Sequence, residues 1–506
     1  MQSVRFIAFD YHSDDSFSKA TYEMKGSEEG GWKITRNSDP YLELGKGYRL
    51  LKTELCGICS TDLDRRFLPF ALPQVIGHEV LASDRLTGKK YVLEINDTAI
   101  SRGEEGDAFC RRGIPTHSPT RLVLGIDRLP GGFGPYILAP VGTLVETGEL
   151  LDKEAVLLEP FAASLHGVEV SLQRGGGELP KKIAVLGPRR LGSLVIAALD
   201  LYRKKNGFSF EIVSVVRRRD LADLSLSVGA DASLFFPGLG SEENPSGLLI
   251  RSEDSKIEMS WDSCRNYFDL VFDTSGSIAG LEESIHLTEK EIHRKTTNGQ
   301  PALSVKNLTE MVVDEISICG LQKNFPDLTW GILPSSRTWV FVSSSAKLSE
   351  EEQSWLQSLS DAKFHFFYGT IDEAVDFLRS SEFTGELPHF DFAIVSTSEE
   401  IDRVLRPNGK DKPSLVRPRG FILIPSIGNR DSNPLIRWLA SGGVLSSSRC
   451  GDFRKTRSLV ESQPGFMYKI ADALIRSEFD SNRLPEAYLA AREPQNIKVI
   501  VRHSAS

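Results

Sequence analysis

The chain has 506 residues, 40% apolar and 25% charged, the proportions of an ordinary globular protein, and a length beyond one core that predicts two or three domains. Lys and Arg number 60 against 69 Asp and Glu, a formal net charge of −9, which gives no electrostatic footprint for nucleic acid or an anionic membrane. The 6 cysteines without paired spacing, no apolar run of ~18 residues and no signal-peptide pattern at the start predict a reducing, cytoplasmic location.

Residues 1 to about 160 carry short β-branched runs (Val4–Phe9, Tyr91–Ile95, Arg121–Leu124, Tyr136–Leu138) among many Gly and Pro, which predicts an irregular all-β unit. Within it, Cys56-Gly-Ile-Cys59-Ser-Thr61-Asp62 precedes Gly77-His78-Glu79. A thiolate, an imidazole and carboxylates so close in sequence form a mixed S/N/O donor set that suits a borderline-soft divalent metal, zinc most readily, with a position left open. Asp62 is the nearest carboxylate to receive the other ring N–H of a ligating His78; an N-cap role would use the same residue. From 153 to 172, Leu157, Phe161, Leu165 and Val168 recur at helical spacing and put Glu159 near the helix start, where the helix dipole also favours an acid.

Lys181–Gly187 reads as a buried strand ending in glycine, and an apolar helix follows from about Leu191 to Tyr202. Strand, tight turn and helix N-terminus are the parts of a dinucleotide pyrophosphate site. In Gly187-Pro-Arg189-Arg-Leu191-Gly192, the first and last glycines of G-x-G-x-x-G remain and arginine takes the middle one, so its side chain must point away or bind phosphate itself. The next strand, Phe210–Val216, ends in Arg217-Arg218-Arg219-Asp220. A carboxylate there would take the ribose of NAD; cations suit the 2′-phosphate of NADP, which is the preferred expectation, against a solvated turn. Ala232–Phe236 reads as a third strand, 237–265 as a surface loop, Phe268–Asp273 before Thr274-Ser-Gly276 as a fourth strand, and Glu291–Thr297 and Val312–Cys319 as the fifth and sixth. Between 321 and 445, strands at Trp339–Val342, Phe390–Val395 and Gly420–Pro425 and helices at Ser349–Leu359 and Ile371–Leu378 are expected, since so long a segment cannot be unstructured in a compact domain.

These motifs, with Leu158-Glu159-Pro160, His166-Gly167, Gly131-Gly-Phe133-Gly-Pro-Tyr136 ahead of Pro140, and a late Ser448-Arg449-Cys450-Gly451, resemble the zinc-containing medium-chain dehydrogenase/reductase superfamily of alcohol, polyol and glucose dehydrogenases. The resemblance covers about 1–320 and 446–506. It implies an α/β fold with an all-β part: a GroES-like catalytic domain (1–165, completed by 446–506), a Rossmann nucleotide-binding domain (166–320) and, outside the resemblance, an inserted α/β subdomain (321–445). It also implies catalytic zinc on Cys59, His78 and either Glu79 or Glu159, with Cys56 outside the set, and Thr61 opening a proton relay. Thr274 would lie near the nicotinamide, and relatives are dimers or tetramers. Where relatives carry four cysteines for a structural zinc, this chain has Glu104, Asp107, Cys110 and Ser118. One thiolate cannot make a closed tetrahedral site, so that zinc is expected to be lost, and a weaker site with His117 is the lesser alternative. The expected activity is oxidation of a small alcohol or polyol, or reduction of the matching aldehyde or ketone. The rival expectation is a fold relative that binds a nucleotide or small molecule without turnover.

Overall fold

The computed structural model describes residues 1–174, 179–252, 254–296, 301–321, 337–359, 364–407 and 413–504. It divides into two units, Met1–Ala163 with Gly451–Ser506, and Ser164–Cys450.

In the first unit, β1 (Gln2–Tyr11), β2 (Phe17–Ser27), β3 (Gly31–Arg36) and β4 (Asp39–Leu44) form an antiparallel four-stranded meander. Ala20, Tyr22, Met24 and Gly26 of β2 all point inward, the period-2 pattern of a sheet buried on one face. Then come β5 (Tyr48–Gly57), α1 (Ser60–Leu63), β6 (Glu79–Ser83), β7 (Lys90–Leu93), β8 (Asn96–Asp97), α2 (Ala108–Arg111), β9 (Leu122–Val123), β10 (Tyr136–Pro140), β11 (Leu144–Glu146), α3 (Asp152–Ala155) and α4 (Leu158–Arg174).

The second unit is built on β12 (Lys182–Leu186), α5 (Arg190–Asn206), β13 (Glu211–Val216), α6 (Arg219–Val228), β14 (Ala232–Phe235), β15 (Ser246–Ile250), β16 (Lys256–Ser260), β17 (Leu270–Asp273), α7 (Ile278–Leu287) and β18 (Glu291–Arg294). It continues through α8 (Leu308–Val313), β19 (Ser317–Gly320), β20 (Thr338–Ser343), α9 (Glu350–Leu359), β21 (Phe364–Gly369), α10 (Ile371–Arg379), β22 (Phe390–Ile394), α11 (Ser398–Leu405), β23 (Val416–Ile424), α12 (Pro434–Ala440) and β24 (Val444–Ser447). The chain then returns to the first unit with α13 (Phe453–Glu461), α14 (Phe466–Leu474), β25 (Ile475–Asp480), α15 (Leu484–Arg492) and β26 (Lys498–Arg502). There, β26 pairs antiparallel with β5, which also pairs with β6 and β10, in a seven-stranded sheet.

All strands of the second unit join one 13-stranded sheet in the order β16-β15-β14-β13-β12-β17-β18-β24-β19-β23-β22-β20-β21. Its central strands are apolar on both faces, as parallel strands covered by helices must be. One apolar cluster runs from Ala184, Leu186 and Val213 to Phe390, Ile422 and Leu445. The segment expected as an insert thus shares the sheet and the core of the strands before it.

Two expectations are corrected. Residues 237–265 are not a surface loop: β15 and β16 form a hairpin that extends the sheet antiparallel from β14, with Leu249 and Ile250 buried. The sixth parallel strand is not Val312–Cys319 but β24, which runs beside β18. In the former stretch α8 ends at Val313, the chain turns through Glu315 at φ 53°, and only Ser317–Gly320 is extended, antiparallel to β24. A short apolar run does not by itself distinguish strand from helix end. Thr297, the last residue of the expected fifth strand, lies outside the described residues. Among the described residues no helix is long and apolar enough to cross a membrane.

One buried side chain of this sheet carries a pH signature. Burial pushes His389 down to about 4, although its Nδ1 lies 2.8 Å from the Ser414 carbonyl oxygen. The unfolded imidazole titrates near 6.5, so between about 6.5 and 4 the unfolded chain binds a proton that the folded chain refuses. This stability is complete above that window and is lost as pH falls through it, a swing on the order of 3 kcal/mol. His389→Gln should flatten the acid limb of stability against pH in urea titrations; an unchanged slope would assign that limb to other groups.

Candidate functional site

The first unit gathers the predicted donors around one carboxylate. β5 runs out at Gly57, and Cys59 stands at the N-cap of α1 with its backbone N–H donating to Asp62 Oδ2 at 2.8 Å. The other oxygen of Asp62, Oδ1, faces His78 Nδ1 at 3.3 Å. Asp62 and His78 are both buried. Burial works to lower the His78 pKa, but the Asp62 carboxylate and the Cys59 sulfur beside the ring hold it well above the ordinary imidazole range. The arrangement leaves Nε2 of His78 as the nitrogen a metal would use. Thr61 Oγ1 lies 3.7 Å from Cys59 Sγ. Behind α1, the Tyr488 hydroxyl of α15 sits 3.0 Å from the Asp62 carbonyl oxygen and 2.9 Å from Asp15 Oδ1.

The two candidate glutamates differ. Glu79 stands opposite Gly57 in the β5/β6 register and pairs with the buried Lys498 of β26, whose ammonium also donates to the Ile58 carbonyl at 3.2 Å. A Cβ on Gly57 would come within 2.0 Å of Glu79 Oε2, so glycine is needed for this close approach. Glu159 is also buried, and that burial, with Glu79 adding and His78 opposing, pushes it up to about 7. Cys56 is fully buried against Gly77 and Gly132, as a core residue. Among the described residues no group of three His, Cys, Asp or Glu side chains is drawn together as a metal cage. The donors fit zinc in kind: a thiol beside an imidazole, the imidazole faced by a carboxylate, and a buried carboxyl whose proton affinity burial raises.

At the loop expected to have lost a structural zinc, Asp107 caps α2 by accepting from Cys110 N–H at 3.0 Å and takes the Ser118 hydroxyl at 2.6 Å. Glu104 accepts instead from Arg102 Nε at 3.0 Å. Hydrogen bonds accepted by one carboxylate thus tie together positions 107, 110 and 118.

In the second unit the turn after β12 has the expected form. Gly187 has φ 73° and Arg189 stands at the N-cap of α5 with no side-chain cap. Leu191 is half-buried on the first turn. Thr274 donates to the Leu186 and Gly187 carbonyls at 2.9 and 3.1 Å and packs where a Cβ on Gly192 would meet it at 2.4 Å. Its hydroxyl therefore pins the turn. Because Leu186 and Val215 are register partners in β12 and β13, the turns that follow are neighbours, and Arg189, Arg190 and Arg218 interact there. Burial and the charges of Arg190 and Arg218 push Arg189 down to about 10. Arg217 pairs with Glu283 of α7 at 2.6 Å. Arg218 also pairs with Asp220.

Sequence reasoning missed Lys498 and Arg190. A signal for Lys498 existed, a lone cation in the otherwise apolar strand Ile497-Lys-Val-Ile-Val501. Lys498→Met should leave Glu79 charged, buried and unpaired, at a cost of about 3–5 kcal/mol in chemical denaturation. Adding Glu79→Gln should recover most of it; no recovery would mean that Lys498 acts through packing alone.

Comparison with known proteins gives two kinds of likeness. The chain is 25% identical over 233 residues to D-arabinitol dehydrogenase 1 of Uromyces fabae, covering 43% of this chain and 64% of that protein. It is 27% identical over 171 residues to L-galactonate-5-dehydrogenase of Escherichia coli (strain K12), covering 31% of this chain and 47% of that protein. The matched stretch thus spans between 47% and 64% of the length of these curated relatives. Among solved structures, alcohol dehydrogenase from Thermotoga maritima superposes with a TM-score of 0.52 at 14% identity, covering 99% of this chain and 100% of that one. For 2R,3R-butanediol dehydrogenase from Bacillus subtilis the TM-score is 0.50 at 15% identity, covering 99% of each chain. These structural likenesses bear out the fold class read from the sequence. No family model matches the chain.

Proposed function

We propose that this chain, a member of the zinc-containing medium-chain dehydrogenase/reductase superfamily, is an oxidoreductase. It would transfer hydride between a nicotinamide dinucleotide and a small alcohol or polyol, or the matching aldehyde or ketone. The likeness to an arabinitol and a galactonate dehydrogenase supports this. In the chain itself the supporting observation is the buried Asp62 carboxylate, which holds the Cys59 backbone at 2.8 Å and the His78 ring at 3.3 Å.

Cys59, His78 and Glu159 would hold the zinc, which supplies a Lewis acid for the substrate oxygen. Asp62 orients the His78 ring. Glu79 stays outside the set, its charge answered by Lys498. Thr61, beside the Cys59 sulfur, would relay the substrate's proton, its hydroxyl accepting that proton as it passes its own on toward solvent. One metal per chain is expected, because Asp107 and Ser118 are committed to each other. In the second unit, the Gly187–Gly192 turn and the N-terminus of α5 would cradle the dinucleotide, the hydride carrier. Arg189, Arg190 and Arg218 favour a 2′-phosphate and hence NADP over NAD. The six cysteines, all free, support a cytoplasmic location.

A second reading, binding of a nucleotide or small molecule without turnover, is favoured by the lack of a gathered three-donor group among the described residues. Metal content separates the two. Protein purified without added metal should carry about one zinc per chain, and Cys59→Ala should lose the zinc and the turnover while keeping its circular dichroism. A chain without zinc that added zinc cannot load would favour the second reading. For the cofactor, Arg189→Gly and Arg218→Ala should each weaken NADPH binding about tenfold, the loss of a charge-assisted hydrogen bond, and leave NADH nearly unchanged. Equal effects on both would remove the 2′-phosphate from the account.

A further inference from the structure

The 13-stranded sheet contains the same winding twice. Outward from its middle, one half reads β24, β18, β17, β12, β13, β14, all parallel, and the other reads β19, β23, β22, β20, β21, again all parallel. In each half the chain starts at an inner strand (β12 or β20), steps one way to the next (β13 or β21), then crosses back and proceeds toward the middle. The halves meet through one antiparallel pair, β24 with β19, where Ile318 faces Leu445 and Cys319 faces Val444. Antiparallel pairing of two equivalent edges is the local geometry of an isologous two-fold contact. The two strands that meet at the middle are exchanged in chain order: β19 comes before β20 to β23 and β24 after them.

The halves differ in how their helix N-termini are treated. In the first, α5 and α6 begin at Arg189 and Arg218, neither with a side-chain cap, so no carboxylate of the chain caps these N-termini, where backbone N–H groups favour an anion. In the second, all three helices that follow β20, β21 and β22 open with a Ser/Thr-x-x-Glu box. Glu352 accepts from Ser349 N–H at 2.8 Å, and Glu373 from Thr370 N–H at 2.7 Å. Glu400 accepts from Ser396 N–H at 2.9 Å and from the Ser343 and Ser345 hydroxyls, each at 2.5 Å. Ser343 ends β20 and Ser396 follows β22. The strand order reverses between these strands, which in a doubly wound sheet is where ligands bind. Carboxylates of the chain itself hold the donors there and add negative charge.

We propose that residues 317–424 are a second doubly wound unit, sealed against nucleotides by Glu352, Glu373 and Glu400, that occupies the edge a second subunit's sheet would take. One chain is then the complete working molecule, with one dinucleotide; the nucleotide part rests on the function proposed above. An open strand edge invites pairing with another chain, and here β19 satisfies the edge of β24 from within.

The test joins the facing strands. Directly opposed antiparallel residues have Cα atoms about 4.5–5.5 Å apart, within reach of a disulfide, so Val444→Cys should cross-link to the native Cys319 on mild oxidation. The product should run as a single chain, and Val444→Cys with Cys319→Ser should not cross-link. A covalent dimer dependent on Cys319 would overturn the proposal. Independently, light scattering of the unmodified protein should give one chain of 56.1 kDa, and a dimer would overturn it even if the variant misfolds. Hydrogen exchange with NADPH should protect 187–192 and 217–219 but not 343–347 or 396–400; protection of the latter would also overturn it. No protection anywhere would instead count against the nucleotide reading above, leaving the disulfide and the mass to decide this one.

Discussion

The site in the first unit depends on the two oxygens of Asp62. One closes the turn at the start of α1 on the Cys59 backbone N–H, and the other faces the ring of His78. The Cys59 backbone and the His78 imidazole, from opposite ends of a long loop, are brought to one buried carboxylate. Tyr488 fastens the carbonyl side of the same helix, so the closing helix α15 supports a geometry set up in the early part of the chain. Remove Asp62 and the Cys59 N–H loses its acceptor while the buried His78 ring loses the carboxylate that faces it, at a cost on the order of a lost hydrogen bond.

Charge around this centre is partitioned. Glu79 and Lys498 pair with each other, whereas burial raises the proton affinity of Glu159, which a cation beside it would lower. In the second unit the same logic acts in reverse. Arg190 and Arg218 crowd Arg189 at one edge and, with its burial, lower its proton affinity, whereas Glu352, Glu373 and Glu400 cover the corresponding edge of the other half. Two halves with one winding plan therefore present opposite faces to an anion, and the difference lies in which residue stands at each helix N-terminus.

Much of the site was legible from the residues themselves. Cys59, Asp62 and His78 lie close in sequence and their donor types suit one another, so chemistry alone predicted their grouping. The turn at Gly187 was legible because a buried strand ending in glycine before an apolar helix has few other uses. The partner of Glu79 was not, because 419 positions separate it from Lys498 and only the β5/β26 pairing brings them together. The partner of Arg217 was not legible for the same reason: Glu283, which pairs with it, stands on a helix 66 positions away.

The sequence by itself determined many local matters: the period of most strands and helices, though not of the β15–β16 hairpin or of 312–319, the turn at Gly187, and the kinds of atom offered to a metal and a nucleotide. These depend on near neighbours, which the order of residues states directly. Only the tertiary structure decided that β24 is the sixth parallel strand, that β19 runs against it, and that the segment between them repeats the winding of the first half. Strand partnership is a choice among many apolar runs of similar length and propensity. It is made by burying the whole set in one core, a quantity no local window contains.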